Sequence, residues 1–187
     1  VLDEDDTGRI AHSGACVAHC PVINAVRGQI APIQDFRRRG ITVGLGIDGM
    51  FADHFEVLRS TIMMARIKTG DAKAVPAPDA MRLATIEGAK AIGQAREIGS
   101  LEVGKRADLM VVDFRRFGLR PLLDPVANFV YHGHASDVET VLVDGTVVVD
   151  GGRLVNADAD QLLDEAESAA QEAWQRFVAR HGDIIAR

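Results

Sequence analysis

An α/β fold is what this sequence predicts, and three observations predict it. Residues 1–93 alternate helix-like and strand-like segments, the pattern of βα units around a parallel sheet. Residues 94–157 change to short apolar runs separated by glycines, which reads as a small antiparallel β module. Residues 158–187 carry an acidic amphipathic helix over 158–180.

Each element has a local reason. Asp3 to Ser13 reads as a short helix stopped by Gly14. Cys16 to Cys20 reads as a strand that ends at Pro21. Ala31 to Arg39 is helical, with Pro32 in its first turn and Gly40 after its end. Ile41 to Ile47 is β-branched and apolar, a buried parallel strand, and it runs into the polar turn Asp48-Gly49. Phe55 to Thr69 repeats apolar residues at helical spacing: Val57, Leu58, Ile62, Met63, Ala65 and Ile67. Asp79 to Gly93 is helical with a break near Thr85 or Gly88. Two parallel strands do not make a sheet covered on both faces. With the start at Val1 in an acidic helix-like segment, further strands are expected upstream. The chain then reads as a piece of a longer protein, whose open strand edges would make it associate on its own.

In the β module, Ala107 to Phe114, Val138 to Val143 and Thr146 to Val149 are strands. Asp144-Gly145 between the last two is a hairpin signal. Asp150-Gly151-Gly152 is a second turn, followed by Arg153-Leu154-Val155. The closing helix places Leu162, Leu163, Ala166, Ala169, Ala170, Ala173, Trp174, Phe177 and Val178 on its apolar side.

Composition excludes several function classes. Of 187 residues, 47% are hydrophobic and 26% charged, so the chain is globular rather than disordered. The net charge of −6 disfavours nucleic acid and anionic membranes as partners. Aromatics at 5% are too sparse for a base-stacking platform. No apolar run reaches the ~18 residues of a membrane span, and no basic-then-apolar signal segment is visible. A cytoplasmic setting is expected. Cys16 and Cys20 read as two small half-buried thiols in a reducing compartment, not as half of a zinc site.

Among the residues that could carry chemistry, Asp48 stands first. It follows a buried strand, and carboxylates at strand ends can bind metal or move protons. A plain Asp-Gly turn is the alternative reading. His19, followed by Pro21 and Asn24, could be a ligand, a base or a loop-holding donor. His132-Gly133-His134 would put both imidazoles on one face of a strand, as a metal pair needs. The pair is remote from Asp48 and lacks a third ligand, so a solvated turn is preferred. His54 lies six residues after Asp48 and could line the same cleft, whereas His12 and His181 stand alone. Lys90 and Arg96 read as a solvated helix face. No phosphate loop, dinucleotide fingerprint, nucleophile elbow or HExxH zinc motif is present.

A resemblance covers almost the whole chain. The run His19-Cys20-Pro21-Val22-Ile23-Asn24, then Gly28-Gln29-Ile30-Ala31-Pro32, then Val43-Gly44-Leu45-Gly46-Ile47-Asp48-Gly49 resembles the amidohydrolase superfamily. Within it, the similarity is to the aminohydrolase and chlorohydrolase branch, which includes cytosine, guanine and S-adenosylhomocysteine deaminases and triazine hydrolases. Ala84-Thr85-Ile86-Glu87-Gly88-Ala89-Lys90-Ala91, the run Ile98 to Leu109 (IGSLEVGKRADL) and Val141-Leu142-Val143-Asp144-Gly145 resemble that branch's later motifs in the same order.

The resemblance implies a (β/α)8 barrel of the TIM type with a flanking β-sandwich. Residues 1–93 would supply the last two strand-helix units, 94–157 the C-terminal sandwich segment, and 158–187 a C-terminal helix. It implies a divalent metal, zinc or alternatively iron, held by an H-x-H pair, further histidines and one aspartate. Asp48 matches that aspartate, as metal ligand and proton shuttle. The other ligands are absent from this chain, and His132 and His134 do not match the pair. His19 matches a position after the seventh strand that shapes or lines the cleft. Ile23 stands where the family has Ser, and Gln29 falls in a run where it has small residues. Met50-Phe51-Ala52-Asp53-His54 replaces a polar loop, making Phe51 and His54 candidates to contact a substrate ring. The implied activity is hydrolytic deamination of a heteroaromatic amine, nucleobase-like or triazine-like. Other readings are a cyclic-amide hydrolase of the same superfamily, and a non-catalytic interaction module lacking the upstream ligands. The expected partners are a small-molecule substrate and further copies in a homo-oligomer.

Overall fold

The computed structural model describes residues 2–49 and 53–185. Helix α1 spans Glu4–Ser13. Asp3 caps it by accepting from the Asp6 amide at 2.8 Å while the Asp6 carboxylate accepts from the Asp3 amide. Gly14, at φ 71°, ends it in the left-handed conformation expected of a terminating glycine. Strand β1 is Val17–His19 and strand β2 is Val43–Leu45. They pair in parallel, Val17 opposite Val43 and His19 opposite Leu45. Between them lie α2 (Pro21–Val26) and α3 (Ile33–Arg38). After β2 come α4 (His54–Thr69), α5 (Ala77–Ala84) and α6 (Ile86–Ala91). Thr85, at φ −119° and ψ −99°, separates the last two, one of the two break points that the sequence suggests.

The second half is a four-stranded antiparallel sheet in the order β3 (Leu109–Val112), β4 (Val138–Val143), β5 (Thr146–Asp150), β6 (Arg153–Leu154). Helix α7 (Pro125–His132) interrupts it between β3 and β4, and α8 (Ala159–Ile185) closes the chain. The hairpin between β4 and β5 turns on Asp144 and Gly145, both at positive φ (49° and 79°), as a primed two-residue turn requires. Among the described residues, no helix is long and apolar enough to cross a membrane.

Three sequence expectations are corrected. The strands expected over 16–20, 41–47 and 107–114 pair over shorter spans, because their ends bond outside the ladders. Pro21 does not merely end a strand. It opens α2, where its missing N–H costs nothing in the first helical turn. Residues 125–132 are helical rather than part of an all-β module. Pro125 opens α7, and the Asp124 carboxylate accepts from the amides of Val126 and Ala127 at 3.0 Å each.

The core joins both halves of the sequence. Ile33, Phe36, Val43, Phe55, Leu58 and Ile62 pack in one cluster with Phe129 and Val130 of α7. The Phe55 and Phe129 rings are 4.7 Å apart, tilted by 50°. Each such ring or branched side chain taken out of water contributes about 1.5–3 kcal/mol. Helix α8 stands outside this core: every side chain from Ala159 to His181 is exposed.

Candidate active site

The carboxyl ends of β1 and β2 lie side by side, and this parallel pairing brings the predicted residues together. The Gly46 amide donates to the His19 carbonyl at 2.9 Å, carrying the pairing one step beyond the ladder. Cys20 follows His19, and Asp48 follows two residues after Gly46. The thiol of Cys20 sits 3.0 Å from where a Cβ on Gly46 would stand, so any larger residue there would press the thiol aside. Burial pushes the Cys20 thiol above its usual value. The Asp48 carboxylate pushes the same way, and a hydrogen bond with the Asp48 backbone opposes them. Cys20 and Asp48 are therefore neighbours at one strand edge.

Asp48 is exposed and adopts φ 59°. Asp tolerates the left-handed region better than most side chains do, and residues held there concentrate at functional sites. Its Oδ1 accepts from the Gly49 amide at 2.6 Å, which fixes the carboxylate at the strand edge. His19 is 3% exposed, and neither ring nitrogen has a hydrogen-bond partner among the described residues. Burial lowers its pKa from 6.5 to about 4, so the imidazole is neutral at pH 7. It lines an open cavity of about 670 Å³ together with Val17, Asn24, Gln29, Pro32 and Lys68. Asp48 is not part of that lining, so His19 and Asp48 flank the strand ends without sharing one pocket.

The other candidates are placed differently. His54 is the first residue of α4, after the cap made by Asp53, whose Oδ1 accepts from the Phe55 amide at 2.8 Å. Partial desolvation lowers the His54 pKa, and the adjacent Asp53 carboxylate works against it. No hydrogen bond or ion pair joins His54 to Asp48 among the described residues. Phe51 lies outside the described residues. His132 and His134 are not on a strand: His132 ends α7 and His134 precedes a short 3-10 turn. Both are exposed, while Gly133 between them is buried against the Phe55 ring, with its carbonyl accepting from Arg59 Nη1 at 2.6 Å. That segment docks a helix end rather than holding a metal. Cys16 is exposed rather than half-buried, and Cys20 is partly buried; both are free thiols. Among the described residues, no three of His, Cys, Asp and Glu gather closely enough to hold a metal ion.

Residues 2–148 match the sequence profile of the Amidohydrolase family. The chain belongs to the amidohydrolase family. It is 37% identical over 174 residues to a 5-methylthioadenosine/S-adenosylhomocysteine deaminase of Pelotomaculum thermopropionicum, covering 90% of this chain and 40% of the relative. It is 37% identical over 183 residues to a 5'-deoxyadenosine deaminase of Methanosarcina acetivorans, covering 95% of this chain and 42% of the relative. Among solved structures it is similar to an adenosine deaminase from Xanthomonas campestris with bound zinc. There the TM-score is 0.87 and the identity 29%, over 91% of this chain and 40% of the other. The chain thus spans about two-fifths of the length of these relatives.

Seen as an amidohydrolase-family chain, its motifs interlock physically. A Cβ on Gly44 of β2 would come within 2.9 Å of the Gly88 Cα in α6, so the two glycines set how closely helix and strand approach. In the Ile98 to Leu109 run, Lys105 Nζ donates to the carbonyls of Ala95 (2.8 Å) and Ile98 (3.4 Å) and to Ser100 Oγ. The Asp108 carboxylate at the end of that run accepts from the Asp144 amide at 2.6 Å, which ties it to the hairpin turn. These motif residues hold the frame of the site, and the strand-edge pair of Cys20 and Asp48 was legible only in part. Cys20 was missed as a neighbour of Asp48, although two successive parallel strands, each ending in a turn, were the available signal.

Proposed function

We propose that this chain is part of a metal-dependent hydrolase that deaminates a heteroaromatic amine, with Asp48 as metal ligand and proton carrier. The observation that carries the reading is Asp48 itself. It is an exposed carboxylate in left-handed backbone at the carboxyl edge of a parallel strand, in a family whose similar members are named as adenosine-type deaminases. On this reading residues 1–93 are the last two strand-helix units of a TIM-type barrel, 94–157 a sandwich segment and 158–187 a C-terminal helix.

The donor chemistry suits a divalent ion such as zinc or iron as one corner of a site: a carboxylate oxygen at a strand edge, with its partner oxygen held by an amide. Such an ion supplies one thing, a lowering of the pKa of its water from 15.7 towards 7. Asp48 would accept the proton of the attacking water on its Oδ2 and pass it to the departing amine. That role requires an ionised Asp48 carboxylate, which a neighbouring cation favours. His19, neutral and buried, would shape the cleft wall. His54, and Phe51 after Asp48, would contact the substrate ring.

The test is Asp48→Asn in the full protein, with metal content and ammonia release measured on the same samples. A drop in kcat of roughly 10²–10⁴-fold is expected. Undiminished ammonia release overturns the role of Asp48. Turnover of a cyclic amide without ammonia would point to a ring-opening hydrolase instead.

A further inference from the structure

We propose that α8 is a self-pairing helix, and that its exposed seam docks antiparallel against α8 of a second copy of this chain. The helix presents Leu163, Ala166, Ala170, Ala173 and Phe177 at alternating spacings of three and four residues, the heptad pattern of a helix-helix seam. None of it is covered among the described residues: Leu163 is 68% exposed and Phe177 45%. An apolar stripe of this kind normally finds a partner.

The pattern names the partner. A two-fold axis through Ala170 sets Leu163 opposite Phe177 of the other copy, once at each end of the seam. Large meets large at both ends, and the alanine centre lets the axes come close, towards the lower end of the usual 8–10 Å. The charges obey the same axis. Glu165 and Arg176 lie on one edge of the seam, and the two-fold brings Glu165 of one copy against Arg176 of the other. Asp158, which caps the helix through the Gln161 amide at 3.1 Å, falls near Arg180 in the same way. Among the described residues, Arg176 and Arg180 make no ion pair, although eleven such contacts occur elsewhere in the chain. A parallel pair would instead set acid against acid in the first half. A patch complementary to itself about one point is what an isologous dimer requires.

The test is the mass of the protein in solution by light scattering across a dilution series. Wild type is expected at twice its chain mass. Arg176→Glu, an exposed substitution outside the candidate active site, is expected to weaken the dimer at least tenfold, and adding Glu165→Arg to restore it. In a Cys16→Ser background, Ala170→Cys is expected to cross-link under mild oxidation. Ala159→Cys is not, because antiparallel pairing separates those two positions by about 33 Å. A monomeric wild type overturns the proposal. So does a dimer that Arg176→Glu leaves unchanged, since α8 would then pack on its own chain or stay free. Equal cross-linking at Ala159 and Ala170 overturns the antiparallel arrangement.

Discussion

Gly44 shows how single residues set this fold. Its backbone is ordinary, so the glycine is there for space alone: any Cβ meets the Gly88 backbone at 2.9 Å. Gly44→Ala is expected to cost about 1–3 kcal/mol through overpacking, read as a lowered denaturant midpoint with unchanged slope. His19 carries a second prediction at this scale. Its folded pKa, about 4, lies below the ordinary 6.5. Between those values the unfolded chain binds a proton that the folded chain refuses, so stability is full above pH 6.5 and falls as the pH drops towards 4. The loss is about 1.4 kcal/mol per pH unit within that window. His19→Gln is expected to flatten this part of the curve relative to wild type, in urea titrations at pH 7 and 4.5. An unchanged slope would mean that the imidazole finds a proton acceptor. The sequence marks His19 and Asp48 by their places at strand ends. It cannot show that one is buried without partners and the other exposed, because burial depends on what the α2 and α3 segments cover.

At the scale of elements, local signals were reliable where a cap or a turn is chemically specific. Gly14 after α1 and Asp144-Gly145 between β4 and β5 stand where their backbone chemistry requires. Helices α2 and α7 escape a sequence reading because Pro21 also reads as a strand stop, and residues 125–132 lie inside a run of glycine-separated strands. The signal that α7 did offer was Asp124 followed by Pro125, a capping residue and a first-turn proline. Missing it made His132 and His134 look like a strand pair. The helix instead ends on Gly133, where a Cβ would strike the Phe55 ring at 2.6 Å.

At the scale of the whole molecule, α7 packs on the helical layer of the first half, and Val112 and Val138 of the antiparallel sheet pack against the same core cluster. Phe129 packs on Phe55, Arg59 holds the Gly133 carbonyl, and Arg66 donates to the Tyr131 hydroxyl at 2.8 Å. Phe129→Ala is expected to cost about 3–5 kcal/mol. Hydrogen exchange is expected to show equal losses of protection in α4, α5, β3 and β4, since one core serves both layers. Loss confined to α7 would mean that the layers unfold separately. The sequence by itself determined the α/β class, the family, most element positions and Asp48 as the residue to watch, because periodicity, turn chemistry and motif order are written in nearest neighbours along the chain. Tertiary structure alone decided that Cys20 borders Asp48, that His19 is buried, that α7 belongs to the core and that α8 leaves its seam bare. Each of those depends on which distant segments share a volume, and local spacing carries no record of that.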